Sequence, residues 1–245
     1  MSQKKKSEGL WDTIKTVIYA VLIALVVRTF AYEPFNIPSG SMIPTLKVGD
    51  YLFVSKYSYG YSRHSLPFSL PLIPGRMLYE EPARGDVAVF KLPSDTSVDY
   101  IKRVIGLPGD TVQVIDGVLH LNGQQVARER IRDYIFRDER GNTVRVAQFL
   151  ETLPNGRTHR IIEMTDSGPL DNTREYTVPE EHLFVMGDNR DNSLDSRARV
   201  GFVPRENLVG RAEFLFFSTD GSAALWEVWR WPFAIRWSRL FDTVG

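Results

Sequence analysis

A serine in a constrained turn is the first candidate nucleophile of this sequence. Ser41 stands in the segment Pro38-Ser39-Gly40-Ser41-Met42-Ile43-Pro44, directly after a long apolar stretch. The two prolines restrict the backbone, and a serine hydroxyl on an exposed turn can attack a carbonyl carbon once a base removes its proton. Taken alone, the same composition is also typical of a linker between the apolar stretch and a following domain.

Lys102 is the candidate base for Ser41. Strand alternation in Val98–Ile105 places Lys102 on the same face as the apolar side chains of Tyr100 and Val104. Burial on such a face lowers the pKa of a lysine, and the neutral amine can then take a serine proton. The alternative is a lysine whose stem packs on the sheet while its ammonium reaches water. No histidine stands in a Ser/Asp context that resembles a catalytic triad, and the four are His64, His120, His159 and His182.

A polar segment in the last quarter of the sequence concentrates acidic and amide side chains. It reads Gly187-Asp188-Asn189-Arg190-Asp191-Asn192-Ser193-Leu194-Asp195-Ser196-Arg197. A calcium-binding EF-hand is excluded, because counting from Asp188 places Arg190 at the third ligand position and Arg199 where a bidentate glutamate is needed. We therefore expect a polar loop whose carboxylates and guanidinium groups satisfy each other and whose hydroxyls can reach an active site.

Three segments of the sequence resemble one family, the type I bacterial signal (leader) peptidases of the Ser/Lys kind. The segments are PSGSMIPTLKVGDYLFVSK, RGDVAVFK together with DYIKRVIGLPGD, and FVMGDNRDNSLDSR. They follow one another in the family's order, after an N-terminal apolar stretch. The resemblance covers residues 10–116 and 178–217 and leaves out 129–174 and the C-terminal tail. The single apolar stretch departs from family members that have two anchors.

The resemblance implies a role for each matching polar residue. Ser41 is expected to be the acylating nucleophile and Lys102 the general base. The Ser39 hydroxyl is expected to join the Ser41 backbone N–H in an oxyanion hole. Ser193 is expected to orient the lysine through a hydrogen bond. A supporting ion pair is expected between Asp195 and Arg197.

The resemblance also implies the reaction, which is endoproteolytic removal of signal peptides from exported preproteins after small residues. Small side chains at the first and third positions before the cut require shallow apolar pockets. No cofactor or metal is implied, and the expected partners are preproteins, membrane lipids and the export channel beside which the enzyme works. The residues expected to line the pockets are Phe35, Ile37, Leu46, Leu52, Tyr100 and Ile101.

Two other classes of protein remain open at this point. One is a different Ser/Lys protease on a similar β core, such as a self-cleaving repressor, although the apolar stretch and the lack of a DNA-binding domain argue against it. The other is a non-enzymatic anchored β domain that scaffolds the export machinery, with Ser41 in a linker. Cleavage of a preprotein in detergent distinguishes both from a signal peptidase.

The composition excludes several other functions. The chain has 245 residues, enough for one large β-rich domain or two smaller ones. Its 30 Lys+Arg balance 30 Asp+Glu, so no global basic field attracts nucleic acid. Because it has no cysteine, it can form no disulfide, thiolate metal site or cysteine nucleophile.

The N-terminal apolar stretch is predicted to anchor the chain in a membrane. Leu10–Phe30 gives a helix of roughly 30 Å at ~1.5 Å per residue, which is long enough to span. Lys4–Lys6 precede it, so the positive-inside rule places residues 1–9 in the cytoplasm and the chain after about Tyr32 outside. The alternative is a signal peptide cleaved at Thr29-Phe30-Ala31. With the resemblance, we expect a single-pass protein of the bacterial inner (cytoplasmic) membrane with a periplasmic or extracytoplasmic catalytic domain.

The rest of the sequence is predicted to be mainly antiparallel β structure. Short β-branched and aromatic runs alternate with turn residues, and Asp116-Gly117, Asn122-Gly123 and Asn155-Gly156 are typical hairpin turns. The expected fold is an antiparallel β-sheet catalytic domain with an inserted β-hairpin subdomain and one N-terminal transmembrane helix. The predicted strands are Tyr51–Ser55, Asp86–Lys91, Tyr100–Ile105, Thr111–Ile115, Val118–Leu121, Arg160–Met164, His182–Met186 and Glu213–Phe217.

Domain boundaries follow from these patterns. Residues 1–9 are the predicted cytoplasmic N-terminus and 10–31 the transmembrane anchor. The catalytic β domain takes 32–116 and 178–217, and the inserted β-rich subdomain takes 117–177. Residues 218–245 form a tail rich in Trp and Arg.

Two apolar segments could contact a membrane. The Pro-rich stretch 60–82 is predicted to be a long exposed loop whose apolar side chains cap the core or rest on lipid. The tail is predicted to contain a helix bent at Pro232 that lies at the bilayer interface or packs on the sheet. The residues on one face of that helix are Trp226, Trp229, Phe233, Trp237 and Leu240.

Overall fold

The apolar N-terminal stretch forms one long helix, α1, in the computed structural model. The structure describes residues 4–137, 142–224 and 226–244, so parts of the predicted segments 1–9, 117–177 and 218–245 lie outside the described residues. Helix α1 runs Lys4–Phe30 and contains the 22-residue span Gly9–Phe30, with mean hydropathy 1.9. Within the described ranges, this is the one helix long and apolar enough to cross a membrane. Its large apolar side chains lie exposed, as lipid-facing side chains do.

Strands and short helices make up the remainder of the described chain. The strands are β1 (Tyr32–Asn36), β2 (Asp50–Ser55), β3 (Tyr61–Ser62), β4 (Arg76–Met77), β5 (Val87–Leu92), β6 (Asp95–Gly106), β7 (Thr111–Ile115), β8 (Val118–Leu121), β9 (Gln124–Gln125), β10 (Ala127–Arg130), β11 (Tyr134–Arg137), β12 (Thr143–Thr152), β13 (Thr158–Glu163), β14 (Tyr176–Thr177), β15 (His182–Met186), β16 (Val203–Pro204) and β17 (Leu208–Ser218). A short helix, α2, spans Trp231–Ala234, and single 3-10 turns occupy Tyr57–Tyr59, Arg63–Ser65, Pro67–Ser69, Arg205–Asn207 and Trp237–Arg239.

A seven-stranded antiparallel sheet forms the body of the protein, in the order β1-β2-β17-β5-β6-β15-β16. Alternate residues of the central strand β5 enter two apolar clusters. Val87 and Val89 join one cluster, while Ala88 and Phe90 join the other. Because both faces of β5 are covered, its sequence is a continuous apolar run rather than an alternating one. The sheet confirms the predicted mainly β, antiparallel fold class.

A second, four-stranded sheet has the order β14-β7-β8-β9. Its two hairpin turns each need two consecutive residues with positive φ, as type I′ turns do. Asp116 and Gly117 supply φ of 48° and 74°, and Asn122 and Gly123 supply 53° and 73°. The predicted boundary between 116 and 117 therefore falls inside one hairpin, so the sequence on both sides of it belongs to the same sheet.

The long strand β12 organises the inserted segment by pairing with β10, β11 and β13. The turn from β12 to β13 contains the predicted Asn155-Gly156 pair. Leu153 and Arg157 close it through a backbone hydrogen bond of 2.9 Å, and Gly156 has a φ of 82°. The β12–β13 hairpin lies against the polar segment 187–197, because Ile162 bridges to Asn189.

The Pro-rich stretch 60–82 is only partly the exposed loop that the sequence predicts. His64 and Ser65 are buried, and the buried Lys56 ammonium donates a hydrogen bond to the Ser65 carbonyl at 2.8 Å. Farther along, Leu72 and Leu78 are exposed. The first part of the stretch therefore packs on the domain, and the second part presents apolar side chains outward.

The predicted long helix of the tail is wrong. Helix α2 has four residues, and the chain then runs beside β17 through backbone hydrogen bonds from Arg236 to Ser218 and from Phe241 to Leu215. Arg239 also donates to both carboxylate oxygens of the buried Asp50. These long-range bonds replace the helical ones, so the one-faced helical pattern does not form. The aromatic residues left exposed are Trp226, Trp229, Trp231, Phe233, Trp237 and Phe241.

Candidate active site

The turn that carries Ser41 is held by the polar loop, which we define as residues 187–197. The Asn189 backbone N–H donates to the Ser41 carbonyl at 3.1 Å, and the Asn189 side-chain amide donates to the Gly40 carbonyl at 3.1 Å. Met42, directly after Ser41, is buried in the apolar cluster of β2, β5 and β17. The Ser41 main chain is therefore fixed on both sides while its side chain stays partly exposed.

Lys102 projects from β6 toward Ser41. Its Nζ donates to Ser41 Oγ at 2.8 Å and to the Ile101 carbonyl at 2.8 Å. Lys102 is only 3 % exposed, and this burial lowers its pKa to about 8, against the opposing effects of Asp195 and Asp188. A lysine in this state exchanges between ammonium and neutral amine close to physiological pH.

Two buried ion pairs stiffen the polar loop. Arg197 donates to both oxygens of Asp195 at 3.0 and 2.9 Å, and Asp195 also accepts the Gly187 backbone N–H at 3.0 Å. Arg103 pairs in the same bidentate way with Asp188, at 2.8 and 2.7 Å. Burial alone would raise the pKa of both carboxyls, but the guanidinium groups lower it by more, so both aspartates are ionised.

The two remaining serines of the expected site lie near it in different ways. Ser39 Oγ is 3.4 Å from Ser41 Oγ, on the exposed side of the turn. Ser193 is buried, and within the described residues its hydroxyl makes no hydrogen bond of good geometry. It lies close enough to Asp195 to help lower that carboxyl's pKa. The structure therefore does not join Ser193 to Lys102 by a hydrogen bond.

Two adjoining clefts open beside Ser41 and Lys102. One contains both residues and is also lined by Val98, Asn192 and Leu194, and the other is lined by Phe35, Ile37 and Val89. Tyr100 and Ile101 line both clefts. Leu46 and Leu52, the other two expected pocket residues, are fully buried in the cluster behind them. Four of the six expected residues therefore meet at the cleft surface.

Several residues that shape the site received no role from the sequence. Asn189 and Asp188 belong to the recognised motif, but nothing local in that motif shows which backbone groups they bind. Strand alternation places Arg103 opposite Lys102 without revealing its buried partner. Asn192 and Leu194 line the cleft only because of how the polar loop folds, so no sequence pattern indicates this position. Within the described ranges, no group of three or more His, Cys, Asp or Glu residues could hold a metal ion.

Comparison with known proteins assigns the chain to a family. The family model described as signal peptidase, peptidase S26, matches residues 10–217. The chain belongs to this family. This match confirms the family that the sequence resemblance predicts.

Relatives in this family cover most of the chain. Signal peptidase I of Rickettsia typhi is 46% identical over 223 residues, which are 88% of this chain and 83% of that protein. Signal peptidase I of Rickettsia conorii is 46% identical over 209 residues, 82% of this chain and 77% of that protein. A crystal structure of a signal peptidase I from Enterococcus faecalis is 29% identical and covers 54% of this chain and 97% of that one, with a TM-score of 0.31.

Proposed function

We propose that this family member removes signal peptides from exported preproteins, with Ser41 as the nucleophile and Lys102 as the general base. Signal peptidase I activity is supported by the family and by relatives of that name. The observation that carries the proposed mechanism is the 2.8 Å contact between Lys102 Nζ and Ser41 Oγ. A proton can pass directly between two atoms at that separation.

The catalytic cycle begins with neutral Lys102. Its lone pair takes the Ser41 hydroxyl proton while one N–H keeps the contact with the Ile101 carbonyl. Ser41 Oγ then attacks the scissile carbonyl carbon, and the Lys102 ammonium returns the proton to the leaving amine. Water next attacks the acyl-enzyme carbonyl and gives a proton to Lys102. The bond from that carbon to Ser41 Oγ then breaks, and the Lys102 ammonium returns the proton to Ser41 Oγ, which frees the signal peptide's carboxyl end and restores neutral Lys102 and Ser41.

The tetrahedral oxyanion is proposed to bind the Ser41 backbone N–H and the Ser39 hydroxyl. Within the described residues, that N–H has no hydrogen-bond acceptor, so it is available to the substrate. The Ser39 hydroxyl lies 3.4 Å from the Ser41 hydroxyl, on the same turn. Donors already aimed at the developing charge lower the barrier because they need no reorganisation. Ser193 is proposed to orient Lys102 when a substrate tightens the site, and the Asp195–Arg197 pair to hold that part of the loop.

Cleavage after small residues is proposed to follow from the two clefts. Their shared wall is formed by Tyr100 and Ile101, and Phe35 and Ile37 stand at alternate positions of an extended segment beside them. An extended peptide paired with this segment would direct every second side chain into the clefts. Leu46 and Leu52 are proposed to limit the depth of the clefts, because they are fully buried in the apolar cluster that contains the cleft residue Ile37.

Signal peptidase activity in detergent is the direct test of this function. The full-length protein is expected to convert a preprotein to its mature form, and Ser41→Ala is expected to slow conversion by at least about 10³-fold. Mass spectrometry of the products locates the cut after a small residue. Ser167→Ala, a change at an exposed serine of the loop after β13, serves as the matched control with unchanged activity. Wild-type-like cleavage by Ser41→Ala, or no cleavage by the wild type, contradicts the proposal.

The protein is proposed to span the bacterial inner membrane once, with residues 1–9 in the cytoplasm and the catalytic domain on the outer face. Only residues 31–40 separate α1 from Ser41, and at ~3.3 Å per extended residue they keep the nucleophile close to the bilayer. Preproteins emerging from the export channel would meet the enzyme there. The division into a catalytic domain (32–116 and 178–217), an inserted subdomain (117–177) and an interfacial tail (218–245) belongs to the same proposal, although the β7–β8 hairpin crosses the boundary at 116/117.

Membrane contact of the tail is expected to quench its tryptophans. The full-length protein with Trp11→Phe retains the four tryptophans of the tail. In vesicles that contain brominated lipid, their fluorescence should fall relative to vesicles without bromine, because aromatic side chains prefer the bilayer interface. Equal fluorescence in both kinds of vesicle would place the tail in water.

The orientation of the protein in the membrane is tested separately. In intact cells, added protease should digest the catalytic domain and spare residues 1–9, and the reverse result would contradict the proposed orientation.

A further inference from the structure

A buried ion pair connects the inserted segment to the polar loop. Arg190 of the loop donates to both carboxylate oxygens of Glu151 on β12, at 3.0 and 2.5 Å. Both side chains are at least 98 % buried, and His159 Nε2 lies 3.2 Å from the same carboxylate. Burial favours a neutral Glu151, but Arg190 and His159 lower its pKa by more, so Glu151 is ionised. The pair is therefore a fixed, charged contact between two distant parts of the sequence.

Backbone hydrogen bonds from β13 flank the same contact. The Ile162 N–H donates to the Asp188 carbonyl at 3.0 Å, and the Arg190 N–H donates to the Ile162 carbonyl at 3.0 Å. The residues on either side of Asn189 are therefore both hydrogen-bonded to Ile162 of the β12–β13 hairpin. The hairpin fixes the loop by main chain at Asn189 and by side chain at Arg190.

The part of the polar loop that the hairpin binds is the part that contacts the turn carrying Ser41. Asn189 donates to the carbonyls of Ser41 and Gly40, as described above. The Arg190 carbonyl accepts a hydrogen bond of 2.7 Å from Arg197, and Arg190 Nε donates to the Gly187 carbonyl at 3.2 Å. A shift of Arg190 would therefore move the Ser41 main chain and the Asp195–Arg197 pair together.

We propose that Glu151 is a positioning residue that acts through Arg190 to hold the polar loop, and with it Ser41, in the geometry that reacts. This inference rests on the proposed roles of Ser41 and Lys102. It gives the inserted segment a part in the reaction, although none of its side chains touches the reacting atoms. Displacing a reacting group by about 1 Å can cost on the order of 10²-fold in rate, so a remote contact of this kind can control kcat.

Glu151→Gln is the first variant that tests the role of Glu151. It keeps the shape of the side chain but removes the carboxylate charge to which the buried Arg190 guanidinium is hydrogen-bonded. We expect kcat to fall about tenfold or more with KM within twofold of wild type, because the clefts keep their lining. The matched control is Glu163→Gln, which removes an equally buried carboxylate from the same hairpin; its contact partner is Arg128, and it acts on Arg190 only through longer-range charge, without a hydrogen bond. Its kcat should stay within twofold of wild type.

A second variant separates positioning from general destabilisation. Glu151→Gln/Arg190→Met leaves no unpaired charge in the interior, so its melting temperature should return toward that of wild type. Its kcat should stay low, because the double variant still lacks the side-chain contact between residues 151 and 190 that joins the hairpin to the polar loop. Recovery of kcat together with the melting temperature would overturn the proposal, since Glu151 would then serve only to neutralise Arg190.

Amide hydrogen exchange of the full-length protein in micelles provides a readout that needs no substrate. In Glu151→Gln, exchange should become at least about fivefold faster in residues 187–192 and in the turn 39–46, with β5 and β6 unchanged. Unchanged exchange in the loop, or equal acceleration everywhere, would overturn the positioning role. If the wild-type protein cleaves no preprotein, the proposed function fails, and the exchange pattern still decides whether Glu151 positions the loop.

Discussion

Replacing Lys102 with alanine is expected to lower kcat by about 10² to 10⁴-fold while the protein stays folded. A positioned general base contributes about 10² to 10⁴ in rate, and without it Ser41 must lose its proton to water. Folding should not suffer, because the variant removes an amine that is costly to bury in its charged form. Single-turnover cleavage of one preprotein measures the loss of rate, and circular dichroism verifies the fold.

Two further lysine variants make the test specific. Lys102→Arg keeps a cation at the site, but a guanidinium with a pKa above about 12 cannot accept the Ser41 proton, so it should be as inactive as Lys102→Ala. Lys47→Ala removes another partly buried lysine whose pKa is lowered and whose Nζ lies over the Tyr134 ring. It should retain activity within twofold, because Lys47 is not bonded to Ser41. An active Lys102→Arg variant would exclude lysine as the base.

The pH dependence provides an independent check of the same lysine. Because burial lowers the pKa of Lys102 to about 8, kcat/KM should rise with pH and level off above that value. Stability should fall as the pH drops from about 10.4, the pKa of an unfolded lysine, to about 8, since in that range the unfolded chain binds a proton that the folded, neutral Lys102 does not. Below about 8 the contribution of Lys102 to stability is constant. A kcat/KM that stays flat from pH 6 to 8 would contradict the proposed base.

Local patterns were sufficient to predict the strand that carries Lys102 and the buried face of that strand on which it lies. Alternation along a strand sets which side chains share a face, and it applies to any strand buried on at least one side. The hairpins at Asp116-Gly117 and Asn122-Gly123 were predictable for a similar reason, because positive φ at two neighbouring residues selects a few residue types. The motif around Ser41 and the polar loop identified the family, and the family match confirms it.

Contacts between distant residues could not be predicted from such patterns. The bond between Asn189 and Ser41 joins residues far apart in sequence, and so does the pair of Glu151 with Arg190. The tail illustrates the same limit. Its sequence has a helical periodicity, but the chain instead forms backbone hydrogen bonds with β17 and an ion pair with the buried carboxylate of Asp50. A local propensity is a weak preference that tertiary contacts override.

Asp195→Asn is expected to cost about 3 to 5 kcal/mol of unfolding free energy at pH 7. The change preserves the shape of the side chain but removes the charge that pairs with Arg197, and both groups are almost fully buried. An unpaired guanidinium in the interior keeps its desolvation cost without its compensation. Denaturant unfolding at constant pH measures the loss. The control Glu181→Gln removes an exposed pair with Arg205 and should cost less than about 1 kcal/mol.

Acid should abolish the difference between Asp195→Asn and wild type. The guanidinium of Arg197 holds the pKa of Asp195 below its usual value despite burial, so the carboxylate stabilises the fold above about pH 4, the pKa of an unfolded aspartate. As the pH falls from there through the lower folded-state pKa, Asp195 takes up a proton and the wild type approaches the variant. Asp195 also raises the pKa of Lys102, so any residual activity of the variant should reach its plateau at a lower pH than wild type. A stability difference that persists undiminished below the folded-state pKa would mean that hydrogen-bond geometry, rather than charge, holds this part of the polar loop.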